Sequence, residues 1–303
     1  MSAAVAPTSL VLKAALDEVA ADVDRRFNLL LTVPDDPRAN LYRAMRHAAI
    51  GGGKRLRPLL VTATASLFGV DKSCAITVAT AIECIHVYSL VHDDLPAMDD
   101  DDTRRGKPTV HRAFDEATAI LAGDCLHALA FELLASNAAH PDPFVRVELV
   151  ADLARAAGPA GMGGGQMMDL EAERASFDLA TVTRLQAMKT GALIACSVEA
   201  GAILGRVPPE GRTSLRGYAR DIGLAFQIAD DILDVEGDEA AAGKALRKDE
   251  AAGKETFLSL LGLERAREQA TMLVDQAVAH LRNYGPEADL LRAIARFVLE
   301  RDR

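Results

Sequence analysis

Apolar residues recur at every third or fourth position along almost the whole chain, which is the spacing of a helix that turns one face to a core. Breaks rich in glycine and proline, among them residues 51–53 and 208–209, separate the periodic segments. Alternating strand patterns joined by hairpin turns do not appear. The pattern predicts about ten helices, over residues 10–27, 41–50, 58–68, 75–92, 117–135, 144–157, 179–204, 211–235, 263–284 and 287–301.

These segments follow one another without a linker or a low-complexity run. The predicted fold class is therefore all-α, a single-domain antiparallel helical bundle over residues 1–303. Composition agrees, because 50% of the residues are hydrophobic while only 4% are aromatic and tryptophan is absent. That balance favours helices over sheets.

The formal net charge is −10, from 34 basic and 44 acidic residues. A nucleic-acid surface needs clustered lysine and arginine, so no nucleic-acid partner is expected. The four cysteines form no CxxC pair and are expected to be reduced. The N-terminal segment has no basic region before its apolar residues, and no run reaches about 18 to 20 uninterrupted apolar residues. We expect a cytoplasmic protein that is not an integral membrane protein.

Two groups of acidic residues interrupt otherwise apolar helices. In the second group, Asp230 and Asp234 are four residues apart and share one helix face, with Asp231 beside them. In the first, a straight helix would place Asp93 and Asp99 about 120° apart. A kink or a helix end at Pro96 would bring them together.

Each group alone could be a solvated helix end. Two such groups, both emerging from apolar helices, instead indicate a site for a hard cation, because carboxylates without thiols suit magnesium. Magnesium also takes substrate phosphates as ligands, so a polyphosphate substrate is implied. Six carboxylates would be balanced by about three divalent ions. Cations for the phosphates stand nearby in sequence, at Lys54, Arg55, Arg57, Arg104, Arg105, Lys107, Lys244, Lys248 and Lys254.

The motifs GGGKRLRP, ECIHVYSLVHDDLPAMDDDDTRRGKPT, GMGGGQMMDLEAE, KTGALI and FQIADDILDVEGD, with a later GKETF, occur in this order. Together they resemble the trans-isoprenyl diphosphate synthases, and most of all the bacterial farnesyl diphosphate synthases. The resemblance implies an all-helical cavity of the isoprenoid synthase type. It also implies that an allylic diphosphate is joined there to isopentenyl diphosphate through ionisation, condensation and elimination.

The resemblance assigns a role to each matching residue. The expected ligands of magnesium, three ions in each active site, are Asp93, Asp94, Asp99, Asp230, Asp231 and Asp234. Arg104, Lys189 and Lys244 match cations that hold the allylic diphosphate, and Lys254 matches a further phosphate-side lysine. Thr190 and Gln227 match polar groups near the carbon that becomes a cation. A separate, metal-free pocket for isopentenyl diphosphate is expected from Lys54, Arg57, His86 and Arg105.

Product length in this family depends on bulk beneath the first aspartate motif. Tyr88, with Ser89 beside it, stands five residues before Asp93. A large ring there predicts a fifteen-carbon product, farnesyl diphosphate. Geranylgeranyl and geranyl diphosphate are the alternatives within the family, and Tyr88 could instead simply pack in the core.

Several residues fall outside the matched set. His92 is expected to be structural, and Gln166 and Asp169 are expected near the site in a capping, water-network or direct role. The sequence departs from many relatives at Arg247-Lys248-Asp249 and at Glu255, which lies between Lys254 and Thr256. These departures are expected to affect phosphate affinity more than chemistry.

Three other functions fit less well. A class I terpene cyclase would carry an asymmetric second motif and would not need the GGGKRLRP segment. A metal phosphohydrolase would need further histidines that the sequence does not arrange around His92 and Asp93. A non-catalytic partner subunit of a heteromeric prenyl synthase would have lost part of the aspartate motifs. A homodimer is expected from the resemblance, with the apolar helix over residues 117–134 as its interface.

Overall fold

The computed structural model describes residues 8–236 and 254–300. Within these ranges helices dominate, and a single two-stranded hairpin joins β1 (Thr103–Arg104) to β2 (Lys107–Pro108). The helices, numbered in chain order, are α1 (Thr8–Leu30), α2 (Ala39–Ala49), α3 (Leu56–Leu67), α4 (Lys72–Asp93), α5 (Val110–Ala113), α6 (Glu116–Ala135), α7 (Pro143–Ala157), α8 (Met162–Glu171), α9 (Leu179–Gln186), α10 (Ala192–Leu204), α11 (Thr213–Glu236), α12 (Phe257–Leu261), α13 (Leu263–His280) and α14 (Asp289–Glu300). One π turn (Ala187–Gly191) and two short 3₁₀ turns (Pro209–Arg212 and Pro286–Ala288) complete these elements.

The all-α prediction is confirmed, and helix occupies most of each predicted segment, with ends shifted by a few residues. The structure adds the short helices α5 and α12, helix α8 and the hairpin. Glycines hide the apolar period of α8, and α5 and α12 are too short to show one. The segment over residues 179–204 is not one continuous α-helix, because the π turn interrupts it.

Helix α4 is the central element of the fold and carries the first acidic group at its end. The Asp71 carboxylate caps its start by accepting from the Ser73 N–H at 2.8 Å. The helix packs against α3, α6 and α10, and its apolar residues join one continuous core. It ends at Asp93 because Pro96 follows, and the residue before a proline avoids helical geometry. The predicted helix end is therefore confirmed.

The π turn is held by a close backbone contact with α8. A Cβ built on Gly165 would lie 2.2 Å from the Lys189 amide nitrogen, so only glycine permits this approach. One added residue per turn changes the direction of the side chains that follow, and such π turns are common at functional sites. Lys189 and Thr190 are both placed by this turn.

Three helical segments of the described part are long and apolar enough to cross a membrane, judged by length and composition alone. They are Lys72–Asp93, Glu116–Ala135 and Leu179–Leu204. Core packing buries 72% of the apolar window of the first and 61% of the third, but only 39% of the second. The sequence test for uninterrupted apolar runs did not select these segments, because polar residues are scattered through each of them.

Candidate active site

The first acidic group folds back on itself directly after α4. The Asp99 N–H donates to the Asp93 carbonyl oxygen at 2.8 Å, so the chain between them forms a tight loop. Asp93 is half-buried at the helix end, whereas Asp99 is exposed. The loop brings the two residues close enough for the charge of Asp99 to act on Asp93, despite their unfavourable helical spacing.

The electrostatic surroundings of Asp93 are unusual for a carboxylate. Burial raises the pKa of Asp93 to about 6, and the negative charge of Asp99 acts in the same direction, while Lys189 lowers it. The Lys189 ammonium group therefore lies close enough to stabilise the charge of Asp93, although the π turn is far from Asp93 in sequence. A cation bound beside this half-buried carboxylate would stabilise its charged form.

Asp94 points to a different partner. Its carboxylate is buried and accepts from the Arg104 Nε–H at 2.6 Å. Burial raises the pKa of Asp94, and Arg104 opposes that rise. The pair fastens the hairpin that carries Arg104 and Arg105 to the end of α4.

The second acidic group lies near the end of α11, with Asp230 and Asp234 half-buried and Asp231 buried. Asp231 accepts from the Phe257 N–H at 2.9 Å and so holds the start of α12. Beside it, the Thr190 hydroxyl donates to Gln227 Oε1 at 3.1 Å. Thr190 and Gln227, which were both expected near the carbon that becomes a cation, are therefore in direct contact.

Two expected phosphate-binding lysines meet on one carboxylate. Lys189 Nζ lies 2.8 Å and Lys254 Nζ 3.0 Å from Asp169 Oδ2. Lys254 also pairs with Glu173 at 3.3 Å. Despite its burial, the two ammonium groups lower the pKa of Asp169. Asp169 thus holds both lysines together.

Of the four residues expected around isopentenyl diphosphate, Arg57 and Arg105 lie close enough to His86 for their charges to act on it. Burial, followed by Arg57 and Arg105, holds the pKa of His86 well below its usual range, so the imidazole is neutral. The Arg105 guanidinium lies over the glycine loop, where a Cβ on Gly53 would meet it at 2.6 Å. Lys54 Nζ stands 5.6 Å from the centre of the Phe297 ring.

Arg57 also connects this pocket to the second acidic group. Burial lowers the pKa of Arg57, while the charges of Glu83 and Asp230 raise it. Arg57 Nε and, near Asp169, Gln166 Nε2 are buried atoms without a hydrogen-bond partner in the described part of the chain. Such donors are suited to an oxygen-rich ligand.

The described residues do not form a metal site whose ligands all come from protein side chains. Among them, no three side chains of histidine, cysteine, aspartate or glutamate converge on one point. Magnesium fits this arrangement, because it is commonly bound by one or two carboxylates together with water and substrate phosphates. The donor set, all carboxylate oxygens, is of the hard type that magnesium prefers.

Tyr88 lies beneath the first acidic group in a row of rings. Its ring meets His127 edge-on at 5.0 Å and His92 at 5.7 Å, and Phe131 continues the row from His127 at 5.1 Å. Ser89 points back along the helix, and its hydroxyl donates to the His86 carbonyl oxygen at 2.9 Å. The Tyr88 ring is therefore held by α6 as well as by its own helix.

The remaining sequence predictions have mixed outcomes. His92 contacts the Ile120 carbonyl oxygen at 3.1 Å and lies over Gly123, which agrees with a structural role. Glu255 accepts from the Ser259 hydroxyl at 2.7 Å and belongs to the turn that starts α12. Outside the described residues lie Lys244, Arg247, Lys248 and Asp249.

Sequence reasoning missed three residues of this region. Gly165 was hidden within a run of glycines, whose individual contacts only the fold reveals. Arg55 was taken only as a further cation of its motif, and Glu83 was not singled out. An acid three residues before His86 on an apolar helix was the available signal for Glu83.

Comparisons with known proteins give consistent results. The sequence model of the family described as polyprenyl synthetase matches residues 38–294. The chain is 48% identical over 271 residues to the farnesyl diphosphate synthase of Escherichia coli K12, covering 87% of this chain and 90% of that protein. It is 44% identical over 265 residues to that of Geobacillus stearothermophilus, covering 87% and 89%.

Solved structures agree in fold. A crystal structure described as an FPP/GFPP synthase from Zymomonas mobilis superposes with a TM-score of 0.88 at 58% identity, covering 96% of this chain and 99% of that one. A geranylgeranyl pyrophosphate synthetase from Pyrococcus horikoshii gives 0.87 at 33% identity, with coverage of 97% and 100%.

Proposed function

Because the chain belongs to the polyprenyl synthetase family, we propose that it condenses isopentenyl diphosphate with dimethylallyl and geranyl diphosphate. The products would be all-trans farnesyl diphosphate and pyrophosphate. The resemblance seen in the motifs is confirmed by the family match, and the chain is a prenyltransferase. We also propose that residues 1–303 act as one domain, in the cytoplasm and without crossing a membrane.

The convergence of the two acidic groups with basic side chains carries this proposal. The charge of Lys189 lowers the pKa of Asp93, and the charge of Asp230 raises the pKa of Arg57. These interactions support one site built from distant parts of the sequence. We propose Asp93, Asp99, Asp230 and Asp234 as the main metal ligands. Asp94 accepts from Arg104, and Asp231 accepts from the Phe257 N–H. We propose that these two carboxylates also hold the surrounding segments in place.

Magnesium, about three ions in each site, would neutralise the allylic diphosphate and act as a Lewis acid on the departing pyrophosphate. The chain's own cations complete the anion site: Lys189 and Lys254 hold the phosphates with Arg104, and we propose Lys244 for the same task. Thr190 and Gln227 present oxygen atoms close to the carbon that loses pyrophosphate. Water would have to be kept away from the short-lived cation.

The second substrate binds without metal in this proposal. Lys54, Arg57 and Arg105 hold its diphosphate, with neutral His86 beside them. Its double bond attacks the allylic cation, which forms the new carbon–carbon bond and leaves the positive charge on the tertiary carbon of isopentenyl diphosphate. Loss of a proton from the carbon next to this cation then forms the new double bond. The released pyrophosphate is the base that takes this proton, because it is an anion with basic oxygens left beside the new cation, and no protein nucleophile is needed.

An assay with purified protein tests the function. Labelled isopentenyl diphosphate and magnesium are supplied with dimethylallyl or geranyl diphosphate, and the products are dephosphorylated and sized. We expect a fifteen-carbon alcohol from both primers and no product when magnesium is chelated. Absence of condensation would refute the enzyme, and a dominant ten- or twenty-carbon product would refute the assigned chain length.

We further propose a homodimer formed through α6 and the start of α7. Apolar side chains remain exposed there, with Leu121 at 53%, Phe144 at 82% and Val147 at 66%. Light scattering is expected to give twice the chain mass for the wild type and one chain mass for Leu121→Asp. Met272→Asp, at an exposed apolar position on α13, is the control and should stay dimeric. A monomeric wild type would contradict the proposal.

A further inference from the structure

Arg55 has an unusual backbone and an unusual environment for an arginine. It precedes the first residue of α3 in the left-handed conformation, with φ 51° and ψ 36°. Its side chain is only 1% exposed. The left-handed conformation is unfavourable for a residue with a Cβ, so the surroundings must stabilise this geometry.

Those surroundings are a hydrogen-bond network that joins three other segments. The Arg55 guanidinium donates to Glu83 on α4 at 2.7 Å, to Asp24 on α1 at 2.7 Å and to the Ala49 carbonyl oxygen at 2.5 Å. The second oxygen of Asp24 accepts from the Gly51 N–H at 3.1 Å. The glycine loop is therefore tied to α1 at its start and to α4 at its end.

The network lies directly behind the pocket proposed for isopentenyl diphosphate. Lys54 and Arg57 flank Arg55 in sequence, and Glu83 stands three residues before His86 on the same side of α4. The charge of Glu83 also acts on Arg57 and Arg105. Arg55 itself is buried and engaged with protein acceptors, so it does not reach the ligand.

We propose that Arg55, with Glu83 and Asp24, is a positioning residue for the homoallylic diphosphate pocket: it fixes the loop so that Lys54 and Arg57 face the ligand. This inference rests on the proposed function. In it, the three residues hold the loop in place and do not contact the ligand themselves. A buried ion pair need not stabilise the fold, because proteins in which hydrophobic residues replace such a pair are often as stable. The position of this network behind Lys54 and Arg57 is explained if the network holds the loop in the conformation that turns these two side chains toward the ligand.

Steady-state kinetics with Arg55→Lys test the inference. Lysine keeps the charge but cannot make the three directed bonds of a guanidinium fork. A lost charged hydrogen bond corresponds to about a tenfold effect or more. We expect the KM for isopentenyl diphosphate to rise about tenfold, with the KM for geranyl diphosphate and kcat changed by less than about threefold.

Asp24→Asn is a milder second variant that keeps the test valid if Arg55→Lys does not fold. Asparagine offers one carbonyl oxygen for two donors, so either Gly51 or Arg55 loses its acceptor. The same selective rise in KM is expected, to a smaller extent. Asp22→Asn is the matched control on the same helix, because Asp22 pairs with Lys72 away from the loop.

Arg212→Lys is the control for loss of a buried arginine. Arg212 is 4% exposed and pairs with Glu148 at 2.7 Å, far from the loop in sequence. It should lower stability without changing the KM for isopentenyl diphosphate. Equal KM changes in both arginine variants, or an unchanged KM in Asp24→Asn, would overturn the inference. An inactive wild type would instead refute the proposed function.

Discussion

Asp93 illustrates how the site's function conflicts with stability at a single residue. Its carboxylate is held at the end of an apolar helix, where burial raises its pKa to about 6. Between roughly pH 4 and pH 6 the folded chain keeps a proton that the unfolded chain releases. Stability therefore falls as the pH rises through this window, and the full cost is present above it.

Asp93→Asn should make the metal-free protein more stable while abolishing activity. We expect its free energy of unfolding to exceed that of the wild type by about 1 to 3 kcal/mol at pH 8. The difference should shrink by about 1 kcal/mol at pH 5, where the folded wild type is largely protonated. Urea unfolding in a chelating buffer measures both values. A less stable variant at pH 8 would contradict the electrostatic account.

Tyr88 is the residue whose size should determine product length. Its ring is fixed edge-on against His127 and His92, so removing it opens space below the first acidic group. Tyr88→Ala should shift the main product from fifteen to twenty carbons or more, as sized by chromatography of the alcohols. Tyr88→Phe keeps the ring and should still give the fifteen-carbon product. Identical products from wild type and Tyr88→Ala would show that the ring only packs in the core.

The sequence predicted more about individual residues than about their contacts. The acidic groups and Lys189 were identified from charge in apolar surroundings and from motifs. The sequence left open whether Asp169 caps a helix, orders water or contacts site residues directly. That it bridges two lysines depends on the approach of three segments. Such pairings follow from the fold and leave no periodic signal.

At the scale of elements, helices with a strong apolar period were predictable and their interruptions were not. The π turn adds one residue to a turn without changing the average apolar spacing over residues 179–204. Its cause lies in α8, where a glycine permits backbone contact with Lys189. The sequence therefore predicted the helix and missed the feature that aims Lys189 and Thr190.

Gly165→Ala should disable this element. The new methyl group would lie 2.2 Å from the Lys189 nitrogen, which displaces the π turn and both side chains that it positions. Because a displacement of about 1 Å can cost a hundredfold, we expect kcat to fall by about that factor. Gly163→Ala on the same helix meets its nearest atom at 3.2 Å and should retain most activity. Equal activity of the two variants would refute this role.

For the whole molecule, the distribution of charge matters more than its sum. The chain carries a net charge of −10, yet its proposed substrates are polyanions. In the proposed function, attraction is therefore local, through metal ions at the carboxylates and through the lysines and arginines near them. The all-α class followed from composition and period, whereas the contact of the π turn with α11 and its charge interaction with the end of α4 required the packed structure.

The central claim is that the two acidic groups bind divalent ions together with a diphosphate. Titration with Mn²⁺, followed by electron paramagnetic resonance, tests it with and without an unreactive thiolo analogue of geranyl diphosphate. We predict about three tightly bound ions only when the analogue is present, and loss of that tight binding in Asp93→Asn and in Asp230→Asn. Equally tight binding without the analogue, or binding unaffected by both substitutions, would contradict the account.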